Sequence, residues 1–232
     1  MSNLIGLAGM SNSGKSTSLK YLDSASTFII SCTNKQLQIP GFRKKYKKVS
    51  IDGGKLIGNW LVANDYNKIQ KIMKIISDTR PEIKVLVIDD ANYLLSNATF
   101  KDALVKGYEK FTVQAKNYYD LIEASLNLRD DLTVVFISHI ENFGTDADPQ
   151  WRLYTTGKML TNAVNLDGLF SYLLYTERYI DDGEDEVKYR IKTRTDGNDT
   201  CRSVSGCFDS KYIEPNMAEI IKRINEFECI EN

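Results

Sequence analysis

The chain has 232 residues, of which 42% are hydrophobic and 26% charged, so it is long enough to bury a full core. Its 30 lysine and arginine residues nearly balance 31 aspartate and glutamate residues, which excludes a uniformly basic surface and leaves only local patches for a polyanion. The four cysteines form no C-x-x-C pair, and there is one histidine, so we expect reduced thiols and no structural zinc. We also expect no leader and no membrane span, and therefore a soluble, cytoplasmic protein.

Short apolar runs rich in β-branched residues alternate with segments of helical periodicity between residues 4 and 138. The apolar runs are Leu4–Ala8, Thr27–Ser31, Lys48–Ile51, Val85–Asp89 and Leu132–Ser138. The helical segments are Ser16–Leu22, Tyr66–Ser77 and Tyr108–Leu126. This alternation predicts an α/β fold in which a mainly parallel central sheet is covered on both faces.

The pattern changes after Asp167. Strand-like segments at Leu169–Glu177, Val187–Thr193 and Cys201–Ser205 are separated by turns rich in glycine, aspartate and asparagine. They predict antiparallel strands that extend one edge of the sheet, followed by a closing helix at Asn216–Phe227. We expect a single domain over residues 1–232, with a core at 1–166 and the antiparallel extension at 167–232.

The first apolar run leads directly into the sequence G-M-S-N-S-G-K-S-T, residues Gly9–Thr17. Glycines in a strand-to-helix loop let the backbone curl around a phosphate, and the helix that follows points its N-terminus at the same place. The pattern predicts a nucleoside triphosphate site in which Lys15 reaches the β and γ phosphates and Ser16 binds Mg²⁺. The residues expected at the nucleotide are Gly9, Ser11, Asn12, Ser13, Gly14, Lys15, Ser16 and Thr17. The alternative is a glycine-rich turn without a ligand.

Two further strand ends carry polar residues suited to phosphate chemistry. We expect the strand ending at Asp89 to lie beside the loop, so that Asp89 can hold the water shell of Mg²⁺. Asp90 is a candidate general base that orients the attacking water, or alternatively the N-cap of the next helix. His139 follows the run Leu132–Ser138 and is either a sensor of the γ-phosphate or a packed structural histidine.

Further segments follow in a fixed order: V-L-V-I-D-D-A-N-Y-L, K-G-Y-E-K-F, L-T-V-V-F-I-S-H-I-E, T-T-G-K-M-L and I-K-T-R-T-D-G-N-D-T. Together with the Gly9–Thr17 loop they resemble the small RecA-like P-loop ATPases of bacteriophages, of the Sak-four single-strand annealing type, from Leu4 to about Phe227. The resemblance implies a protein that binds ATP and Mg²⁺, hydrolyses ATP, binds single-stranded DNA and promotes annealing in phage recombination or repair. It also implies a homo-oligomer, a single-strand-binding protein as partner and the host cytoplasm as location.

Under this resemblance His139 takes the γ-phosphate-sensing position, Asn142–Gly157 form a mobile DNA-facing loop, and Lys158 contacts DNA or a neighbouring subunit's nucleotide. The chain departs from the family pattern at the catalytic base. RecA-like cores carry a catalytic glutamate at this strand tip, whereas this chain has Ser31–Asn34, which contains no carboxylate. Either Asp90 or another acid supplies the base, or hydrolysis is slow. Two alternatives therefore stay open, a nucleotide-gated interaction protein with little turnover and a small kinase with the same loop.

Two segments are candidates for contact with single-stranded DNA. Gly41–Lys48 combines five cations with two aromatic rings, as binding of phosphates and stacking of bases requires. Asn142–Thr156 carries several aromatic residues that are either exposed for DNA or packed onto the domain. The late arginines Arg178, Arg190 and Arg194 are candidate fingers across a subunit interface or, alternatively, partners in surface ion pairs.

Overall fold

A computed structural model describes residues 2–107, 109–155 and 165–230. Its strands are β1 (Asn3–Gly9), β2 (Thr27–Ser31), β3 (Ser50–Asp52), β4 (Lys55–Ile57), β5 (Trp60–Val62), β6 (Val85–Asp89), β7 (Thr133–Ser138), β8 (Ile140–Asn142), β9 (Trp151–Leu153), β10 (Tyr172–Tyr179), β11 (Lys188–Lys192) and β12 (Tyr212–Ile213). Its helices are α1 (Lys15–Ser18), α2 (Phe42–Lys45), α3 (Tyr66–Thr79), α4 (Asn92–Lys101), α5 (Glu109–Leu126) and α6 (Met217–Phe227).

The main sheet has eight strands in the order β12-β11-β10-β1-β7-β6-β2-β5. The six strands from β10 to β5 are parallel, whereas β11 and β12 are antiparallel to their neighbours. The predicted α/β fold with a mainly parallel sheet is therefore confirmed. Because parallel strands end at the same edge, the residues that follow β1, β2, β6 and β7 meet at one carboxyl edge.

Two apolar layers sandwich the sheet, as a parallel sheet requires. Neighbouring residues of β6 alternate between them, since Leu86 and Ile88 belong to one cluster and Val85 and Val87 to the other. Helices α3, α4 and α5 cover the first layer, whereas α6 and the chain around α2 cover the second. Within the described ranges, no helix combines the length and hydrophobicity that crossing a lipid bilayer requires.

Three predicted helices, α3, α5 and α6, form where the sequence places them, and the starts of α3 and α6 have clear causes. The Asp65 side chain accepts a hydrogen bond from the backbone N–H of Lys68 at 2.9 Å and so caps α3. The Asn216 side chain accepts from two backbone N–H groups of α6 in the same way. Both helices bury residues at three- and four-residue steps, as the periodicity predicts.

Two early elements are shorter or differently placed than predicted. The expected helix at Ser16–Leu22 is only one α-helical turn, α1, followed by a 3-10 turn at Leu19–Tyr21. The chain leaves the helix there because Leu22 turns into the core with extended backbone angles. The run Lys48–Ile51 forms no strand of the main sheet and meets it at one parallel bridge, from Lys48 to Trp60 of β5. Instead β3 pairs with β4 in a separate hairpin whose Ile51 side chain is 77% exposed.

The extension after residue 167 differs from the prediction in two respects. The segment predicted at Leu169–Glu177 forms β10, which pairs in parallel with β1 and not antiparallel to it. The segment Cys201–Ser205 is not a strand, since its one bridge joins Leu173 to Arg202. The edge position beside β11 is occupied by β12 instead.

Candidate functional site

The Gly9–Thr17 loop lies at the carboxyl end of β1, in the middle of the sheet. A Cβ at Gly9 would collide with the hydroxyls of Thr176 and Ser13, so only glycine fits there. Gly14 has a φ of 93° and Asn12 a φ of 60°, both in the left-handed region that a curled loop needs. Both residues therefore adopt backbone conformations that a tightly curled loop requires.

Strand β10 braces this loop through hydroxyl groups. The Ser13 Oγ donates to the Met10 carbonyl at 2.7 Å and shares a hydrogen bond of 2.5 Å with Thr176 Oγ1. Thr176 Oγ1 also lies 3.2 Å from the Ala8 carbonyl, so the two hydroxyl hydrogens are shared among three contacts. Since α1 is only one turn long, the helix dipole expected from the sequence contributes little. Any backbone contribution to the binding of an anion would therefore come mainly from the N–H groups of the loop.

Lys15 lies inside the loop and is only 7% exposed. Its ammonium donates hydrogen bonds to the Gly9 carbonyl at 2.8 Å and to the Met10 carbonyl at 2.7 Å. Burial lowers the pKa of Lys15 to about 8, although the charges of Asp90 and Asp89 oppose the shift. The side chain is therefore held beside the space that the loop encloses, with its charge poorly hydrated.

Asp89 ends β6 and is 4% exposed. Among the described residues its Oδ1 atom has no hydrogen-bond partner. Burial, followed by the charge of the adjacent Asp90, raises the pKa of Asp89 to about 7. β6 is not the direct neighbour of the loop strand β1, because the buried strand β7 pairs with both β1 and β6. The carboxyl group nevertheless lies close enough to influence Lys15 electrostatically.

The donor set around the loop suits a cation that brings other ligands with it. No group of three histidine, cysteine, aspartate or glutamate side chains that could hold a metal is found in the part of the chain that the structure describes. Mg²⁺ needs no such cage, since it is typically held by one or two protein oxygens together with waters and phosphates. The unpartnered Asp89 Oδ1 and the hydroxyl of Ser16, which lines the pocket, fit that requirement.

Asp90 follows with a φ of 58°, an uncommon conformation for a residue other than glycine. Its Oδ2 accepts a hydrogen bond of 3.2 Å from Thr33 Oγ1, and its Oδ1 lies 3.9 Å from His139 Nε2. The alternative role as a helix cap is wrong, because Ala91 is the N-cap of α4 and no side chain caps that helix. The carboxylate of Asp90 instead faces the pocket.

His139 is fixed at the tip of β7 by its backbone and by its ring. Its N–H donates to Asn92 Oδ1 at 3.2 Å, and its ring packs edge-to-face on Tyr93 with centroids 6.2 Å apart. Burial and then the charge of Lys15 lower the pKa of His139, so the imidazole is neutral at neutral pH. The residue is both packed and exposed to the pocket, which combines the two interpretations of the sequence.

These groups line one pocket of about 520 Å³, which we call the nucleotide pocket after the ligand that the sequence predicts. Its walls contain every residue from Ser11 to Thr17 together with Asp90 and His139, whereas Gly9 and Asp89 lie behind them. Sequence reasoning missed five residues that also line it, namely Thr33, Lys35, Gln38, Tyr93 and Tyr189. The first three follow β2 directly, so the rule that parallel strands end at one edge would have found them. Tyr189 comes from β11 and has no local signal.

The basic segment Arg43–Lys48 keeps its cations but not its rings. The five cationic side chains are exposed, and none forms a salt bridge with an acidic residue of the described ranges. Phe42 and Tyr46 are 1% and 2% exposed and stack on each other with centroids 5.1 Å apart. The expectation that these rings stack on bases is wrong, because they belong to the core.

The predicted DNA-facing loop is largely folded as far as the structure describes it. Strands β8 and β9 form a hairpin in which Arg152 pairs with Glu141 at 2.9 Å. Trp151 packs against the core, and Phe143 is the ring left 47% exposed, with the Arg152 guanidinium 4.9 Å from it. Thr156, Gly157 and Lys158 lie outside the described residues.

Among the three late arginines, Arg190 already contacts residues of its own chain. Its guanidinium pairs with Glu177 at 3.1 Å and lies 3.5 Å from the centre of the Tyr212 ring. Arg178 and Arg194 are exposed, and neither forms a salt bridge with a residue that the structure describes. Arg190 is therefore a poor candidate for a finger that crosses an interface.

Comparison with known proteins gives no assignment. No protein-family model matches the chain, and a search of the curated proteins finds no match either. The chemistry of the nucleotide pocket follows from its own side chains. The site combines a tightly curled loop with the buried Lys15. It also contains the unpartnered Oδ1 atom of Asp89 and the carboxylate of Asp90, which lines the pocket.

Proposed function

We propose that the chain is an Mg²⁺-dependent ATPase with a RecA-like P-loop core that binds single-stranded DNA and promotes its annealing. The observation that carries the proposal is the convergence of Lys15, Asp89 and Asp90 on the Gly9–Thr17 loop at the carboxyl edge of the sheet. Buried, mutually interacting charges around an open pocket are typical of functional sites. A homo-oligomer and a single-strand-binding partner, both implied by the resemblance, belong to the same proposal.

The chain's own groups divide the binding of a triphosphate between them. The N–H groups of the loop surround the β-phosphate, and Lys15 exchanges its two carbonyl partners for β and γ oxygens. Ser16 would bind Mg²⁺ and Asp89 would hold its water shell, and the ion would supply positive charge to the phosphates. The neutral His139 faces the γ-phosphate and can donate a hydrogen bond to it without adding a charge.

Hydrolysis requires a water in line with the γ-phosphorus. Asp90 accepts a hydrogen bond from that water and takes its proton as the new oxygen–phosphorus bond forms and the bond to the ADP oxygen breaks. Thr33 holds one oxygen of Asp90 and leaves the other free for this role. Asp90 thereby supplies the carboxylate that the tip of β2 lacks.

DNA binding rests on the basic segment Arg43–Lys48. Exposed cations without acidic partners bind phosphates in any sequence, and such binding weakens as salt rises. The segment is also tied to the nucleotide pocket, because Arg43 donates to Gln36 at 3.1 Å between the pocket residues Lys35 and Gln38. A nucleotide that contacts this connection is therefore able to change the position of the cations.

The test measures ATP hydrolysis with Mg²⁺, with and without single-stranded DNA, across a salt series. We expect hydrolysis that DNA stimulates and a stimulation that fades at high salt. Annealing of complementary strands is measured in the same series by fluorescence. Hydrolysis at the background rate together with no ATP binding would contradict the proposal.

A second candidate is a nucleotide-gated binding protein with little turnover. It is favoured by one specific observation, the absence of a carboxylate at Thr33, where the tip of β2 faces the pocket. ATP-dependent DNA binding with turnover no faster than that of Asp90→Ala would support this candidate. Transfer of labelled γ-phosphate to a nucleoside would instead indicate the small kinase.

A further inference from the structure

A second cavity, of about 430 Å³, lies beside the nucleotide pocket at the carboxyl ends of β2 and β5. It is lined by Cys32, Thr33, Asn34, Val62, Ala63, Asn64 and Asn97. These residues come from three places, namely the end of β2, the connection from β5 to α3 and the middle of α4. We call this cavity the amide pocket.

Three side-chain amides are the main polar groups of the amide pocket. Asn34 and Asn64 are exposed and Asn97 is half-buried. In the described ranges none of the three amides forms a side-chain hydrogen bond with another residue, although asparagines elsewhere, such as Asn59, do so. Each amide therefore keeps two donors and one acceptor for a ligand.

The lining excludes most other kinds of ligand. No charged side chain is among the lining residues that the structure describes, so neither a phosphate nor an ammonium group would find a counter-charge. The one sulfur, in Cys32, is buried, and burial raises the pKa of its thiol, so it stays neutral. A wholly apolar ligand would displace the water bound to the three amides without replacing the hydrogen bonds that this water makes.

We propose that the amide pocket binds a nucleobase of the single strand, an inference that rests on the proposed function. A nucleobase is neutral, flat and edged with donors and acceptors, and asparagine amides pair with such edges. Val62 and Ala63 supply apolar surface for its face. The basic segment begins at Arg43, nine residues after Asn34, and binds the phosphates of the same strand.

Thr33 connects this pocket to hydrolysis. It lines both cavities, and its hydroxyl donates to Asp90 at 3.2 Å. A base that contacts Thr33 therefore acts on the hydrogen bond that positions Asp90. The amide pocket thus provides a route by which bound DNA, rather than charge alone, stimulates ATP hydrolysis.

The source of the base is tested with three ligands: an oligodeoxyadenylate, an abasic oligonucleotide of the same length and free deoxyadenosine. Asn97→Ala removes one amide on α4, and Asn67→Ala, at an exposed position of α3, is the matched control. Affinity for each ligand is measured directly by fluorescence, and ATP hydrolysis is measured in parallel.

We expect the abasic strand to bind about tenfold more weakly than the oligodeoxyadenylate and to give little stimulation. Asn97→Ala should lose most of that difference while its basal hydrolysis stays unchanged, and Asn67→Ala should behave as the unaltered protein does. Equal binding and stimulation by the abasic strand, or an unaltered response in Asn97→Ala, would overturn the inference. Tight binding of free deoxyadenosine, or its phosphorylation, would overturn the assignment to a strand.

The two proposals fail in different ways. If the unaltered protein does not hydrolyse ATP, the proposed function is wrong, and the direct binding measurements still decide the amide pocket. If hydrolysis occurs but the base makes no difference, only the amide pocket is wrong, and stimulation is then due to phosphate contacts alone.

Discussion

The nucleotide pocket and the basic segment Arg43–Lys48 hold charge in opposite ways. In the pocket, Lys15 and Asp89 are 7% and 4% exposed, and burial moves both pKa values toward neutral pH. In the basic segment the cations remain in water. Burying a charge lowers stability unless a partner compensates, whereas an exposed lysine carries almost no penalty. The buried charges are therefore the stronger indication of function.

The largest effect is expected from Lys15→Ala, which removes the buried cation. ATP hydrolysis should fall at least about 100-fold, because the triphosphate loses the buried positive group of the pocket. Affinity for ATP should fall as well, and both are measured by steady-state hydrolysis and by nucleotide binding. The matched control is Lys35→Ala, an exposed lysine of the same pocket, which should reduce hydrolysis less. Equal losses in the two variants would break the distinction between buried and exposed charge.

The next effect concerns Asp89→Asn, which keeps the shape of the side chain but removes its charge. Hydrolysis should fall about 100-fold if Asp89 holds the water shell of Mg²⁺, because the site then loses that anionic group. Addition of excess Mg²⁺ should not restore it. Activity that stays within about twofold of the unaltered protein would show that Asp89 is not a metal ligand.

The same variant tests whether the pKa of Asp89 is raised in the nucleotide-free protein. The pKa of Asp89 is about 7 when folded, against an ordinary value of 3.8. The stability that this group contributes is therefore fully present below its unfolded pKa and is lost as the pH rises through about 7. Between about pH 5 and about pH 8 the free energy of unfolding should fall by about 2 kcal/mol more in the unaltered protein than in Asp89→Asn. Denaturant titrations at the two pH values measure it.

Local pattern predicted the parts of the fold that depend on neighbours in sequence. β2 and β6 lie where their apolar runs predict, and α3 begins at the residue that Asp65 caps. The position of β7 between β1 and β6 was not predictable in this way, because strand order depends on long-range pairing. Tyr189 was missed for the same reason, since β11 reaches the loop only through the sheet.

Composition alone could not separate buried from exposed residues in the basic segment. Phe42 and Tyr46 lie four residues apart, a spacing that suits both an aromatic surface and one buried face of a helical turn. Trp60 decides between them, because it packs on Phe42 with centroids 5.1 Å apart. That partner comes from β5, a strand that the sequence pattern did not predict. The rings are thereby removed from DNA binding, whereas the charges between them are not.

A tenfold loss in the rate of ATP hydrolysis is expected from Thr33→Val, which removes the hydrogen bond to Asp90 but keeps the volume of the side chain. The rate of hydrolysis should fall by about that factor while ATP affinity stays unchanged, since Thr33 positions Asp90 and does not carry the phosphates. Thr33→Ser, which retains the hydroxyl, should restore the rate. A loss of ATP affinity equal to the loss of rate would show that Thr33 contributes to binding instead.

The smallest effect is expected in the basic segment, where charge and ring can be removed separately. Neutralising Lys44, Lys45 and Lys47 with glutamine should weaken single-strand binding, with the slope of affinity against salt reduced by about 2 on logarithmic axes. Phe42→Leu should lower the free energy of unfolding by about 1 kcal/mol, because its ring is fully buried, yet leave the salt slope unchanged. Filter binding over a salt series, together with denaturant unfolding, separates the two. If Phe42→Leu altered the slope as the lysine variant does, the segment would be acting through the packing beneath it rather than through exposed charge.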